Sequence, residues 1–402
     1  EPRCLRRDGQ GREVLMDLAY TPEQQAFRAE VRAWMDAHVP KEPLVTLECR
    51  EGYDQHVAWE RTLASGNWGM VTWPEAYGGR GLDLIQWLIF EEEYFRAGGP
   101  NRANQNGIFL LGPTIMEFGT EEQKARFLPP MARGEVIWAQ AWSEPGAGSD
   151  MAAIQSKAVR DGDHYVITGQ KTWSSRAAFA DWGFGIFRTD PDSKRHKGLT
   201  FILFDLNSPG ITRRPIRQLH GDTGFAELFF DEVRVPVENC LAGEGEGWNV
   251  AMATAGFERG LMLRSPGRFQ ATAKRLVELY RAHEAEASPA AREAVLQAWM
   301  QTQTYAYNTY AVASKIMAGG KIGAEASLNK IFWSELDRMM HRTAMQILGA
   351  HAELKRFGNG KINQWLEGYI FSLSGPIYAG SNEVQRNIIA ERLLGLPRVG
   401  AG

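Results

Sequence analysis

The hydrophobic period of the chain changes twice, and those two changes restrict the fold more than any single motif does. Thr21-Pro22-Glu23 is a cap with proline at the first helical position, and Phe27, Val31, Trp34, Met35 and Val39 then recur at three- and four-residue spacings. Helical patterns continue through His56 to Ser65, Leu84 to Phe95 and Glu121 to Met131, broken by the glycine- and proline-bearing stretches WPEAYGGRG and AGGPNRANQNG. From about Val136 the pattern becomes alternation, in Ala158, Tyr165 and Ile167, then Phe201, Leu203 and Leu206, then Leu228 and Phe230, with Asp161-Gly162-Asp163 as a hairpin turn. After Gly247 the helical period returns, as in Leu328, Ile331, Phe332, Leu336, Met339, Met340, Ile347 and Leu348. The reading is an α+β chain with a helical domain over 16–135, a β domain over 136–245 and a second helical domain over 246–402. Glu284 to Pro289 reads as a loop between helices, and residues 1–15, charged and without a period, read as a disordered or appended tail ahead of Met16.

Composition narrows the partners. A net charge of −3 over 402 residues supplies no basic stripe for a phosphate backbone, so nucleic acid is not expected. Cys4, Cys49 and Cys240 are odd in number and far apart, which points to reduced thiols in a cytoplasmic setting rather than to disulfides or a metal site. No apolar run approaches the roughly 20 residues that cross a bilayer, and the first residues lack the apolar stretch of a secretory signal, so neither a membrane nor export is expected.

The segment from Ala141 to Asp150, AWSEPGAGSD, stands where helices give way to strands. Gly146, Ala147 and Gly148 let the backbone come close to a bulky ligand, and Ser143 and Ser149 supply hydroxyls; the plain alternative is a solvated proline–glycine turn. Its company decides between them. WPEAYGGRG, FGTEEQKARFLPPMARGE, SEPGAGSD, GQKTWSS, FFDEVRVP and IYAGSNEVQRNIIAERLLG occur in the order found in acyl-CoA dehydrogenases, and the resemblance runs from about Asp17 to Pro397.

That resemblance implies a helical N-terminal domain, a barrel-like central β domain and a C-terminal four-helix bundle, assembled as a dimer of dimers, with FAD between the β domain and the C-terminal helices. It implies that Gln140, Trp142, Ser143, Gly148 and Ser149 line the flavin and its phosphates, and that Trp173 and Ser175 sit near flavin N5. Gln346 and Gly349 in MQILGAH, and Ser381 and Glu383 in the C-terminal loop, match positions that contact FAD elsewhere along its length. From composition alone Trp173 would be a core aromatic.

The implied reaction removes a proton from the α carbon of an acyl thioester and a hydride from the β carbon, which requires a positioned carboxylate and donors for the developing enolate oxygen. One common family pattern places that carboxylate directly after the tyrosine of the C-terminal loop. Here the loop reads Tyr378-Ala379-Gly380, and alanine cannot take a proton. Phe257-Glu258-Arg259-Gly260 resembles the alternative placement on a C-terminal-domain helix, which makes Glu258 the candidate base. Its bland reading is a helix carboxylate beside a solvated arginine. Tyr378 and Ala379 remain candidate substrate contacts, because the Ala379 N–H still offers the hydrogen bond to the thioester oxygen. Arg259 reads equally as a site arginine or as a partner in an ion pair.

The Arg-x-x-Phe-Gly motif that holds a neighbour's FAD in many members is missing; the corresponding stretch is RAHEAEASPAAREAVLQ, where Arg292 could serve. GFERG and NIIAERLLGLPR most resemble the actinobacterial and steroid-degrading branch. The substrate implied is a bulky or branched acyl-CoA or an acyl carrier protein thioester, and the implied electron acceptor is an electron-transfer flavoprotein. Two other readings stand beside dehydrogenation: a flavin-dependent hydroxylase on the same scaffold, and a subunit of a heterotetramer that completes its partner's FAD site without chemistry of its own.

Overall fold

A computed structural model describes residues 5–7, 13–15, 19–259, 264–320, 322–357 and 361–398. Most of the expected N-terminal tail lies outside them; within it β1 (Leu5–Arg7) pairs antiparallel with β2 (Glu13–Leu15). The N-terminal domain comprises α1 (Pro22–His38), α2 (Arg50–Ser65), α3 (Leu84–Arg96), α4 (Gly112–Phe118) and α5 (Glu121–Ala132). Helices α1, α3 and α5 each start at a reciprocal capping box, Thr21 with Gln24, Asp83 with Gln86 and Thr120 with Gln123, which satisfies two otherwise orphaned N–H groups apiece. Phe27, Val31, Met35, Trp59, Leu63, Trp68, Trp87, Leu88 and Phe90 bury one shared core. Each contributes on the order of 1.5–3 kcal/mol when fully removed from water.

Two elements differ from the sequence reading. Helix α2 begins at Arg50, six residues before the expected His56, because Tyr53 on its extra turn packs into the core of the β domain. The glycine-rich AGGPNRANQNG stretch leads into a π-helical turn, Gly107–Leu111, that runs directly into α4; small residues masked that helix from a periodicity argument.

The central domain contains β3 (Trp138–Ala141), β4 (Lys157–Asp161), β5 (His164–Ser175), β6 (Trp182–Arg188), β7 (Leu199–Asp205), β8 (Ile211–Ile216), β9 (Phe225–Pro236) and β10 (Cys240–Leu241). They form one sheet in the order β10-β7-β6-β4-β5-β9-β8, with β3 running parallel to β6. The hairpin at Asp161-Gly162-Asp163 falls where expected, with Asp161 facing His164. Strands β6 and β7 are buried on both faces: Phe201 and Leu203 join the core beneath α4 and α5, while Ile202 and Phe204 join the core under β5 and β9. That double burial is why LTFILF reads as a continuous apolar run.

The C-terminal helices are α6 (Gly247–Arg259), α7 (Pro266–Ala282), α8 (Pro289–Met317), α9 (Ala326–Leu348), α10 (Gln364–Ser372) and α11 (Asn382–Ile388). Phe269, Leu276, Tyr305, Trp333, Leu336 and Met340 form the bundle core. Cys49 and Cys240 are unbridged, and no described helix is long and apolar enough to cross a membrane.

Helices α1 and α3 are clamped by charge. Glu93, 1% exposed, accepts from Arg28 (3.0 Å), Arg32 (2.8 and 2.9 Å) and Arg96 (2.6 Å). Burial alone would raise this carboxyl, but the three guanidinium groups overcome it and hold Glu93 at about 2. A carboxylate with a depressed folded-state value contributes stability that is complete above its ordinary value of 4.5 and is lost as pH falls through about 2. Urea midpoints measured from pH 5 to pH 2 should therefore fall, and Glu93→Gln should flatten that slope; an unchanged slope in the variant would assign acid sensitivity to other groups.

Candidate active site

The AWSEPGAGSD segment is placed from below by a chain of buried polar groups. Glu60 on α2 accepts from Arg102 (2.9 Å) and from the Asn104 N–H (3.1 Å), and Asn104 in turn donates to Val136 O (3.0 Å) and accepts from the Trp138 N–H (3.0 Å). All three side chains are at most 9% exposed, so these bonds work in a low-dielectric interior. They set the start of β3, which carries Gln140 and delivers the chain to Trp142 and Ser143.

From above, the segment is held by Lys171 of β5. Its side chain is fully buried, and its three N–H groups meet three acceptors: Ile186 O (2.7 Å), Glu144 Oε1 (2.9 Å) and Trp142 O (3.2 Å). Glu144 also accepts from the N–H groups of Gln155 (2.7 Å) and Ser156 (3.0 Å), closing the far end of the turn. Burial pulls the Lys171 ammonium down to about 8, with the Glu144 charge offsetting part of that; burial would raise Glu144, but Lys171 and the hydrogen bonds hold it below the usual carboxylate range. Both are ionised at neutral pH. Ser143 O accepts the Thr172 N–H (2.8 Å), so β5 and the turn are joined at successive residues.

The same strand then bulges. Lys171 faces Leu228 and Ser174 faces Ala226, so two residues stand opposite one, and Trp173 takes a left-handed backbone, φ +55°. That conformation is costly for a bulky residue and turns the indole outward: Trp173 is 59% exposed, with only an edge contact to Phe225 at 6.3 Å. The core-aromatic reading of Trp173 does not hold. Ser175 is half-buried beside it. On the turn, a side chain added at Gly146 or Gly148 would meet nothing within 4 Å, and the hydroxyls of Ser143 and Ser149 bond to no described residue. An outward indole, open glycines and free hydroxyls fit a large planar ligand with phosphates.

Helix α6 joins the buried side of this segment: its Val250, Ala251 and Ala255 share one core with Trp142 and the π-helical turn. Thr254 Oγ1 lies 2.8 Å from Thr114 Oγ1 of α4, both fully buried, which fixes the spacing of the two helices. Glu258 and Arg259 stand in the last turn of α6; their side chains lie outside the described residues. Farther along the chain, Tyr378 packs on Trp333 (5.9 Å) and accepts from Arg264 Nη2 (3.2 Å), whose guanidinium covers both rings. Ala379 is left-handed, φ +57°, and its carbonyl accepts from Gln385 (3.1 Å), while no described group accepts from its N–H. Gln346 and Gly349 lie exposed at the end of α9, and Ser381 caps α11 with Glu383 in its first turn; none of these four hydrogen-bonds to the β domain. Lys171, Glu144 and Arg264 escaped sequence reasoning, although a lysine inside a half-buried strand is itself a sign of a buried carboxylate partner.

Comparison with known proteins agrees with this architecture. Family models for the N-terminal, middle and C-terminal domains of acyl-CoA dehydrogenases match residues 21–135, 139–233 and 245–394. The chain belongs to the acyl-CoA dehydrogenase family. It is 38% identical to acyl-CoA dehydrogenase IpdE1 of Mycobacterium tuberculosis over 94% of this chain and 99% of that one, and 39% identical to IpdE1 of Mycolicibacterium smegmatis over 94% and 98%. Among solved structures it resembles the ChsE4-ChsE5 complex of M. tuberculosis, with TM-score 0.83, 30% identity and coverage of 96% and 100%. A steroid acyl-CoA dehydrogenase, Tcur3481-Tcur3483, superposes with TM-score 0.85 at 29% identity over 96% and 100%. The protein is thus an oxidoreductase acting on CH–CH groups, dehydrogenating an acyl thioester, in a FAD-binding family.

Lys171→Met would leave Glu144 charged and unpaired in the interior, which costs about 3–5 kcal/mol. The expected outcome is a matching fall in unfolding free energy together with new protease cleavage between Pro145 and Asp150. Wild-type stability with a protected turn would show that Lys171 does not hold it.

Proposed function

We propose that this chain binds FAD along the AWSEPGAGSD turn and oxidises the CoA thioester of a bulky, ring-bearing acyl group, with Glu258 as the base. The observation that carries the reading is the C-terminal loop. Its backbone offers the free Ala379 N–H beside Tyr378, and its side chain at that position cannot accept a proton. Proton abstraction and oxyanion stabilisation are then divided between two elements: a side chain on α6 takes the α proton, and a main-chain N–H on the loop donates to the thioester oxygen. The left-handed turn at Ala379, held by Gln385 from one side and by the Arg264–Tyr378 contact from the other, orients that donor before substrate arrives. The chemistry that bound FAD would supply is an acceptor for the hydride of the β carbon. Gln140, Trp142, Ser143, Gly148 and Ser149 would hold it along one side, Trp173 and Ser175 at the ring, and Gln346, Gly349, Ser381 and Glu383 elsewhere along its length. Arg259 would stand beside the base.

A steroid-like acyl group is supported by the named steroid enzyme among the structural relatives. Assembly with a second, related subunit is supported by relatives solved as two-component complexes and by an exposed apolar stripe on α8, Leu296, Trp299, Met300 and Tyr307, at helical spacing. We place the enzyme in the cytoplasm with an electron-transfer flavoprotein as acceptor.

Anaerobic mixing with a panel of acyl-CoAs tests the reaction: bleaching of the oxidised flavin band is expected, whereas NAD(P)H-dependent oxygen uptake with a hydroxylated product would replace dehydrogenation by hydroxylation. Glu258→Gln should retain flavin and bleach about 10²–10⁴-fold more slowly. Bleaching at the wild-type rate would remove Glu258 from the mechanism, and a chain that takes up FAD only with a partner and never bleaches would make it a site-completing subunit.

A further inference from the structure

Glu91 is a buried carboxyl that the thioester chemistry does not use. It stands on α3, 7% exposed, and accepts from the Ser265 hydroxyl at 2.7 Å; Ser265 is itself 2% exposed. Most buried pairs of this kind only satisfy each other. Two features separate this one. Ser265 is the N-cap residue of α7, yet its side chain makes no capping hydrogen bond, and its hydroxyl is committed to α3 instead. The helix thereby forgoes the stabilisation that serine ordinarily gives at this position. Burial also pushes the Glu91 carboxyl up to about 7, against the opposing Ser265 hydrogen bond and Arg102 charge. An apolar pair of the same shape would fill the space without that cost.

What the pair holds is the start of α7. A Cβ added at Gly267 would lie 2.7 Å from Glu91 O, so α3 and α7 meet backbone to backbone beside the hydrogen bond. The Arg264 carbonyl accepts from the Tyr305 hydroxyl of α8 at 2.7 Å, and the Tyr305 ring is set by stacking on Phe332 (5.9 Å) and an edge contact to Phe269 (5.3 Å). From this mount the Arg264 guanidinium lies over Trp333 (4.9 Å) and Tyr378 (5.5 Å) and donates to the Tyr378 hydroxyl (3.2 Å). The next residue is Ala379. The other charges near Glu91 are engaged elsewhere: Glu92 and Glu93 on the same helix pair with Arg28, and Arg102 pairs with Glu60. Ser265 is the hydrogen-bond partner of the Glu91 carboxyl among the described residues.

We propose that Glu91 is a positioning residue for the oxidation: through Ser265 and Arg264 it sets where Tyr378 stands, and hence how the Ala379 N–H meets the thioester oxygen. The inference rests on the thioester dehydrogenase reading and deepens it. A donor aimed at a developing enolate is effective only when its direction is fixed before the charge appears. Gln385 holds the left-handed Ala379 by its carbonyl. Tyr378, on the N–H side of the same residue, is held by Arg264, and Arg264 by a joint whose two anchors are Tyr305 and the Glu91–Ser265 pair. A carboxyl on the N-terminal domain thus acts on a loop of the C-terminal domain without touching substrate.

The test mixes purified holoenzyme with cyclohexylthioacetyl-CoA, in which sulfur takes the place of the β carbon. The α proton can pass to the base but no hydride can follow, so the enolate accumulates beside oxidised flavin and is read as a long-wavelength charge-transfer band. At saturating ligand, Glu91→Gln and Ser265→Ala should each lower the band roughly tenfold, and the double variant should lose no more than either alone. Ser265→Thr, which restores a hydroxyl, should recover it. Ser265→Ala removes one oxygen from a residue that does not cap its helix, so it is expected to fold even where Glu91→Gln does not. A wild-type band in Ser265→Ala, with only the melting temperature lowered, would reduce the pair to packing and overturn the proposal. Losses that add in the double variant would overturn it too. A wild type with neither band nor bleaching would strike the dehydrogenase reading and this role together.

Discussion

Lys171 is the point on which the site depends. An ammonium with no water contact is stable only if every donor is met, and here two acceptors, the Trp142 carbonyl and the Glu144 carboxylate, come from the glycine-rich segment and the third is the carbonyl of Ile186 in β6. One side chain thereby fixes the turn relative to the sheet. The bulge that expels Trp173 begins immediately after it. The anchored lysine and the strained, exposed indole are neighbours, so the energy stored at Trp173 is offset by the network beside it.

The N-terminal domain reaches the same place by another route. Glu60, Arg102 and Asn104 carry the position of α2 to the start of β3 through buried hydrogen bonds, while Thr114 and Thr254 hold α4 against α6. Helix α6 is the shared element: its early residues face the β domain, its first turn meets the His196 ring through Trp248, and its last turn carries Glu258. A single rigid helix keeps its two ends at a fixed separation, as a flexible loop could not.

Much of this was legible from residue order. The switch from helical to alternating period near Val136 and back near Gly247 marks the β domain, because burial on one stripe and burial on one face leave different spacings. The capping signal at Thr21-Pro22-Glu23 and the turn at Asp161-Gly162-Asp163 are local and were readable locally. The extra turn of α2 and the π-helical entry to α4 were not: Tyr53 packs on Phe179, distant in sequence, and Gly107–Leu111 has too few residues to show a period. Composition alone misplaces Trp173 for a related reason. An aromatic amid alternating apolar residues belongs in the core unless a bulge shifts it, and the bulge depends on the register of β9.

Residue identity and short spacing were enough for the order of domains, the motifs shared with the family and the alanine at position 379, where the family resemblance implies a carboxylate. Folding in three dimensions was needed for Lys171 to close the turn through Glu144, for the Ala379 N–H to stay without a described acceptor beside Tyr378, and for the His196 ring to meet Trp248 of α6. Each of those facts is a contact between segments far apart in the chain, and such contacts follow from how buried polar groups find partners once the sheet and helices have packed.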